Sequence, residues 1–284
     1  MDQAESLRRI VQGNNGIKKA KIVTVTSGKG GVGKTSFSVN LGICMSQAGY
    51  RVIVFDADIG LANVEIELGF VPKYTIEDII DQRKNILDIL TDGPENLKFV
   101  SGGNGVERLI NLTTEQLQFV IQNLSLLEYY ADYIIIDTGA GINNIVYGFS
   151  YISDIVILVI TPEPTSLADG YSLLKYMKSD VFVSKKLFLT INKVKKNTNH
   201  NQIAENFINT VNEYLNMKVD YLGPISYDDN VTKSIYEQSP IILRYPHSNA
   251  SRCIRDITEI LLNQKSKKGY GFKSLFQLLR GRGV

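Results

Sequence analysis

The sequence predicts an α/β fold: a doubly wound, mostly parallel sheet with helices on both faces. Three observations lead there. Short β-branched runs recur along the chain. They are apolar almost throughout instead of alternating, which is how strands buried on both faces read. Helical stretches lie between them, the order that crossover connections in a parallel sheet require.

From the N-terminus, residues 1–20 are polar and charged, with a short helical pattern closed by the breaker GNNG at 13–16. The first strand is expected at 21–26 (KIVTVT), and a helix opens inside the loop that follows, at Lys34. Strands come next at 51–56 (RVIVFD) and 97–101 (LKFVS). Thr113-x-x-Gln116 is a capping-box pattern: the threonine oxygen accepts an orphan N–H of the first turn and the glutamine reaches back. Strands at 133–137 (YIIID), 155–161 (IVILVIT), 186–192 (KLFLTIN) and 221–225 (YLGPI) then alternate with helices over about 164–180, 199–216 and 248–263. The chain ends in a basic linker, QKSKKGYG, and a second short helical pattern. We expect three parts: an N-terminal segment and linker at 1–20, one core domain at 21–263, and a linker with a helix at 264–284.

Composition narrows the function classes. Of 284 residues, 44% are hydrophobic and 21% charged, enough for a large core. The net charge is +2, so no global basic field points to nucleic acid. The last 20 residues depart from that balance, with six Lys or Arg and no acid, a tail suited to an anionic partner. Two cysteines without a CxxC pattern exclude a disulfide framework and an iron–sulfur or zinc-ribbon site. The polar start is not a signal peptide, and the run IVILVI is too short to cross a bilayer. The expected address is cytoplasmic, with at most a peripheral hold on the inner membrane face.

The stretch VTSGKGGVGKTS at 25–36 carries the clearest chemistry. Gly28-x4-Gly33-Lys34-Thr35 is a phosphate-binding loop between an apolar strand and a helix. Glycines let backbone N–H groups turn inward around phosphate oxygens, and the helix N-terminus adds partial positive charge. Gly28, Gly30, Gly31, Val32, Gly33, Lys34, Thr35 and Ser36 form the expected cradle. Lys34 reaches the β- and γ-phosphates, and Thr35 offers its hydroxyl to Mg²⁺. Lys29 is one cation more than such a loop needs. It is either a solvated lysine that raises the local potential or a second catalytic cation.

With that lysine, KGGVGKT resembles the deviant Walker A loop of the MinD/ParA class of ATPases. The resemblance implies that Lys29 reaches across an ATP-dependent homodimer to the phosphates held by the other subunit, as an arginine finger does elsewhere. FDADIGLANVEIELG at 55–69 resembles the family's first switch segment. Asp58 would orient the attacking water and stand with Asp56 around Mg²⁺, and Asn63 would support the water's surroundings. YIIIDTGAGI at 133–142 looks like Walker B and the second switch, with Asp137 on Mg²⁺ and Gly139 and Gly141 close to the γ-phosphate. Asn192-Lys193 is similar to the start of the Asn-Lys-x-Asp motif of GTPases, but Lys195 stands where guanine needs a carboxylate acceptor. Adenine is therefore favoured. Asn192, Ser226 and Asp228 are the expected contacts around the base.

The two ends resemble something narrower. MDQAESLRRIV is similar to the DQAxxLR segment of the flagellar-number-regulator branch of this class, the FlhG (YlxH/FleN) family. Asp2, Gln3, Ala4, Leu7 and Arg8 would form a short helix that orders on a partner. The resemblance implies that the partner is FlhF, a signal-recognition-type GTPase whose hydrolysis the segment stimulates. Flagellar switch-complex proteins are further possible partners, and direct nucleic-acid binding is not expected. In GFKSLFQLLRGRGV, Phe272, Leu275, Phe276 and Leu279 fall on one helical stripe beside Lys273 and Arg280. Such a helix suits an anionic membrane surface, and two in a dimer gain avidity. The same stripe could dock on its own domain, and ATP could free it. Two other readings stay open: a MinD/ParA ATPase of division or partition, and a nucleotide-gated adaptor with negligible hydrolysis.

Overall fold

The computed structural model describes residues 19–58, 63–103, 105–183, 185–264 and 269–281. The segment carrying Asp2, Gln3, Ala4, Leu7 and Arg8 lies outside them. Eight strands form one sheet: β1 (Lys21–Ser27), β2 (Val52–Ala57), β3 (Thr91–Asp92), β4 (Lys98–Val100), β5 (Tyr133–Ala140), β6 (Ile155–Ile160), β7 (Lys186–Val194) and β8 (Val219–Ser226). Their order is β3-β4-β2-β5-β1-β6-β7-β8. All neighbours pair in parallel except β3, a two-residue antiparallel edge on β4. That edge is too short to leave a periodic signal, so only seven strands are legible in the sequence.

The continuous apolar runs have the predicted cause. Along β1, Val23 and Val25 belong to one core layer and Ile22 to the other. Along β5, Tyr133 and Ile135 face the first layer while Ile134 and Ile136 face the second. The first layer is roofed by α1 (Lys34–Gln47) and α8 (Asn249–Leu262), through Phe37, Leu41, Ile254 and Ile257. The second is roofed by α3 (Thr114–Tyr130) and α4 (Asn144–Ile152), through Leu117, Leu124, Ile145 and Phe149. Beside it, α5 (Pro164–Met177) and α6 (His200–Leu215) cover β6 and β7. The capping box forms as read: Gln116 N–H donates to Thr113 Oγ1 at 3.3 Å, and Thr113 N–H to Gln116 Oε1 at 3.1 Å. The helix expected over 164–180 stops at Met177, and a separate short turn covers Asp180–Val183.

Strand order reverses where β1 lies between β5 and β6, so the loops leaving the C-terminal ends of β1, β2 and β5 open into one crevice. Open α/β sheets bind ligands at such a switch point. Between them run two further helices, α2 (Asn63–Leu68) after β2 and α7 (Asp229–Tyr236) after β8.

The C-terminal helix α9 (Phe272–Gly281) lies on the domain, packed against α3 and α4. Phe272 and Leu275 are buried, and Phe276 and Leu279 are partly buried against the same layer. The stripe read as membrane-facing is thus covered by protein in this conformation. Among the described residues, no helix is long and apolar enough to cross a membrane.

Candidate functional site

The crevice holds a cavity of about 570 Å³, of ligand size, lined by the phosphate loop, the ends of β2 and β5, and the β7 and β8 loops. The loop is shaped by close approaches. Gly33 has φ +89°, and a side chain there would strike the Asn192 amide. Gly28 lies against the Asp169 backbone of α5, where an added Cβ would stand 2.2 Å from the Asp169 carbonyl oxygen. Gly30 and Gly31 have open space where a side chain would stand.

Lys34 is buried, and its Nζ lies 3.2 Å from Asp137 Oδ1. Thr35 Oγ1 donates to Asp137 Oδ2 at 2.6 Å, and Ser38 Oγ to Asp137 Oδ1 at 2.8 Å. Asp137 is fully buried within β5, so three donors from α1 satisfy a carboxylate that could not stand alone there. Ser38, one turn beyond the motif, is a partner that no local pattern marked.

At the end of β2, Asp56 accepts from the Asp58 and Val64 N–H groups at 3.1 and 3.2 Å. Burial, reinforced by the nearby Asp137 charge, pushes the Asp56 carboxyl well above the usual carboxylate range. Asn63 Nδ2 donates to Asp58 Oδ2 at 3.1 Å, as a residue steadying that carboxylate must. A Cβ on Gly139 would be 2.9 Å from Asp58 Oδ1, so β5 and the segment after β2 approach closely there.

Lys29 takes a different posture. Its Nζ lies 3.2 Å from Glu163 Oε2 and 3.0 Å from Thr165 Oγ1, at the start of α5 and in the same subunit. The side chain is 40% exposed, so this lysine sits at the rim of the cavity.

Asn192 Nδ2 donates to Val32 O at 2.8 Å, and Lys193 Nζ to Gly31 O at 2.7 Å, tying the end of β7 to the phosphate loop. Ser226 lines the cavity with its Oγ toward Cys253. Asp228 also lines it, but its carboxylate accepts from Asn230 N–H at 3.0 Å and Ala250 N–H at 3.3 Å, holding two helix N-termini.

One wall residue escaped the motif reading. Glu67 on α2 is buried, lines the cavity and accepts from Asn40 Nδ2 at 3.0 Å. Burial pushes its carboxyl up to about 7, while a hydrogen bond from Ser36 pulls the other way. A lone glutamate in a helical pattern gave no signal of this.

The donor set fits a magnesium nucleotide. Thr35 and Asp137 bring hydroxyl and carboxylate oxygens together, the hard ligands Mg²⁺ takes. Among the described residues, no three His, Cys, Asp or Glu side chains form a cage on their own. Mg²⁺ usually completes its shell with water and substrate phosphates, so a partial protein set is the expected form.

Comparison with known proteins agrees with this geometry. Residues 23–241 match the profile of the CobQ/CobB/MinD/ParA nucleotide binding domain. The chain is 34% identical to the antiactivator FleN of Pseudomonas aeruginosa, over 84% of this chain and 85% of FleN. It is 30% identical to the flagellum site-determining protein YlxH of Helicobacter pylori, over 91% of this chain and 89% of that protein. Among solved structures, the septum site-determining protein MinD of Pyrococcus horikoshii, in complex with Mg-ADP, superposes with a TM-score of 0.70 at 22% identity, covering 86% of this chain and 96% of that one. The last likeness is one of fold.

Proposed function

The chain belongs to the CobQ/CobB/MinD/ParA nucleotide-binding family, and from that premise we propose that it is an ATP-dependent, dimerising ATPase that regulates flagellar number and placement. The family likeness supports ATP binding and hydrolysis in general, and the relatedness to FleN and YlxH supports the flagellar role.

The observation that carries the reading is the contrast between the two loop lysines. Lys34 is buried on Asp137, inside its own site. Lys29 stands at the rim, held by an exposed ion pair to Glu163. Exposed ion pairs are worth about 0–1 kcal/mol, so the side chain is free to exchange this partner for a better one. In our reading the better partner is the phosphate chain in a second subunit.

Thr35 and Asp137 would hold Mg²⁺, with Asp56 beneath them. Lys34 and the loop amides would bind the β- and γ-phosphates, while Asn192 and the 223–231 segment enclose the base. ATP brings the phosphoryl group and Mg²⁺ neutralises its oxygens. Asp58, steadied by Asn63, orients the attacking water, and Lys29 of the second subunit offsets charge developing on the phosphoryl oxygens.

The tail gives the nucleotide state an address. α9 covers its apolar stripe on α3 and α4 in the structure described. We read this as the resting form; the ATP dimer frees the helix, and two basic amphipathic helices hold an anionic membrane. The N-terminal segment would stimulate the GTPase FlhF.

The test is size measurement by light scattering with a non-hydrolysable ATP mimic. Wild type should dimerise and Lys29→Ala should not. Equal dimerisation of both would remove Lys29 from its role across the interface.

A further inference from the structure

Two buried carboxylates lie under the docked helix, far from the nucleotide cavity, and neither has a part in the chemistry above. Glu128, near the end of α3, is 2% exposed. Its Oε1 accepts Phe272 N–H at 2.9 Å, capping the first turn of α9 from outside the helix. Its Oε2 pairs with Lys19 Nζ, and its main-chain oxygen accepts Ala20 N–H at 2.7 Å.

Asp154, just before β6, repeats the arrangement. Its Oδ2 accepts Ile22 N–H at 2.7 Å, and its Oδ1 accepts Gly269 N–H. Lys185 lies beneath, donating to the carbonyls of Tyr151 and Ser153 at 2.6 Å each, with its ammonium near the ring of Tyr270. Tyr270 stacks on Tyr151 with ring centroids 5.0 Å apart. A third link runs from Lys21 Nζ to Gln264 O at 3.2 Å. The start of β1 and the start of the tail are therefore fastened at three points, and two of those points are single carboxyl groups that serve both.

We propose that Glu128 and Asp154 couple the two ends of the chain, so that disturbing the backbone at 19–22 loosens the docked C-terminal helix, and undocking the helix loosens 19–22. A buried carboxylate must keep its donors or turn to water. When Lys19 leaves Glu128, a buried charge is left without its counter-cation, and the side chain relieves that cost by turning to water, which gives up Phe272 N–H. Lys19 lies eleven residues beyond Arg8, the end of the DQAxxLR pattern. Coupling of this kind is reciprocal by linkage. Its use in the cell rests on the reading that the freed tail meets a membrane, but the coupling is measured without lipid, so either can fail alone.

The test is hydrogen exchange on the full chain with ADP and no vesicles. In Lys19→Ala, the amides of 272–281 should exchange at least about fivefold faster than in wild type, the lower end of ordinary coupling. Lys19→Arg should restore wild-type rates, since it restores the ion pair. Reciprocally, deleting 269–284 should speed the Ala20 and Ile22 amides by a similar factor. Amides of 134–136 in the central strand should not change in any variant. Lys19 is partly exposed, so its truncation spares the fold. Unchanged exchange at 272–281 in Lys19→Ala, or at 19–22 in the deletion, would overturn the coupling. Acceleration of 134–136 as well would also overturn it, by making the effect one of global stability.

Discussion

Releasing Lys29 from its resting partner should strengthen the ATP dimer by an amount the structure bounds. The perturbation is Glu163→Ala, which removes the carboxylate 3.2 Å from Lys29 Nζ and leaves Thr165 in place. The two side chains are 40% and 64% exposed, so solvent screens the pair and its worth falls at about 0.2–1 kcal/mol. Each dimer must break two such pairs, so the gain is roughly 0.4–2 kcal/mol per dimer, or about twofold to thirtyfold in dissociation constant. Analytical ultracentrifugation with a non-hydrolysable ATP mimic measures this directly. The gain should shrink between low and high salt, because salt weakens solvent-exposed ion pairs. Glu163→Ala should add nothing in a Lys29→Ala background, where no pair exists to break. A dimer that is unchanged or weaker in Glu163→Ala at low salt would refute the reasoning, since Glu163 would then help the dimer instead of holding Lys29 away from it.

Four more outcomes follow from the same geometry. Asp58→Ala should lower ATP turnover in the presence of anionic liposomes at least about tenfold, the low end for a group that positions a nucleophile; equal turnover would make Asp58 structural and favour an adaptor that hardly hydrolyses. Glu67 is protonated more readily in the folded chain than in the unfolded one, so stability without nucleotide should fall as pH rises from about 4.5 through about 7. Glu67→Gln should remove that slope and raise thermal stability at pH 8, by at most about 3 kcal/mol; parallel pH–stability curves for the two proteins would contradict the burial argument. Deleting 271–284 should leave ATP binding intact and abolish liposome sedimentation, whereas undiminished sedimentation would put the membrane contact elsewhere. Deleting residues 1–12 should spare ATP binding but end stimulation of the GTPase, and full stimulation would refute that assignment.

What was legible in the sequence is what local patterns carry. Lys34 and Thr35 belong to a motif whose spacing states its chemistry, and Asp137 follows the apolar run YIII of a strand buried on both faces. Apolar runs such as IVILVI gave the sheet because β6 is buried on both faces, with Ile157 in one layer and Leu158 in another. What was hidden depends on contacts between distant segments. Glu67, Glu128 and Asp154 are single acids in ordinary helical or loop contexts, and only folding brings them to Asn40, Phe272 and Ile22. Asp228 could be placed at the base end by resemblance, but not seen to hold two helix N-termini. The stripe of α9 read clearly as amphipathic. Which apolar surface it covers was undetermined, because a protein groove and a membrane ask the same pattern of Phe272 and Leu275.

The central claim is that nucleotide state sets both partnership and location. Its most direct measurement is mass by light scattering on the full chain, first with ADP and then with a non-hydrolysable ATP mimic, followed by sedimentation with anionic vesicles. The account predicts a monomer left in the supernatant with ADP, and a dimer that pellets with the vesicles when the mimic is bound. A chain that remains monomeric and unbound when saturated with the mimic would contradict it.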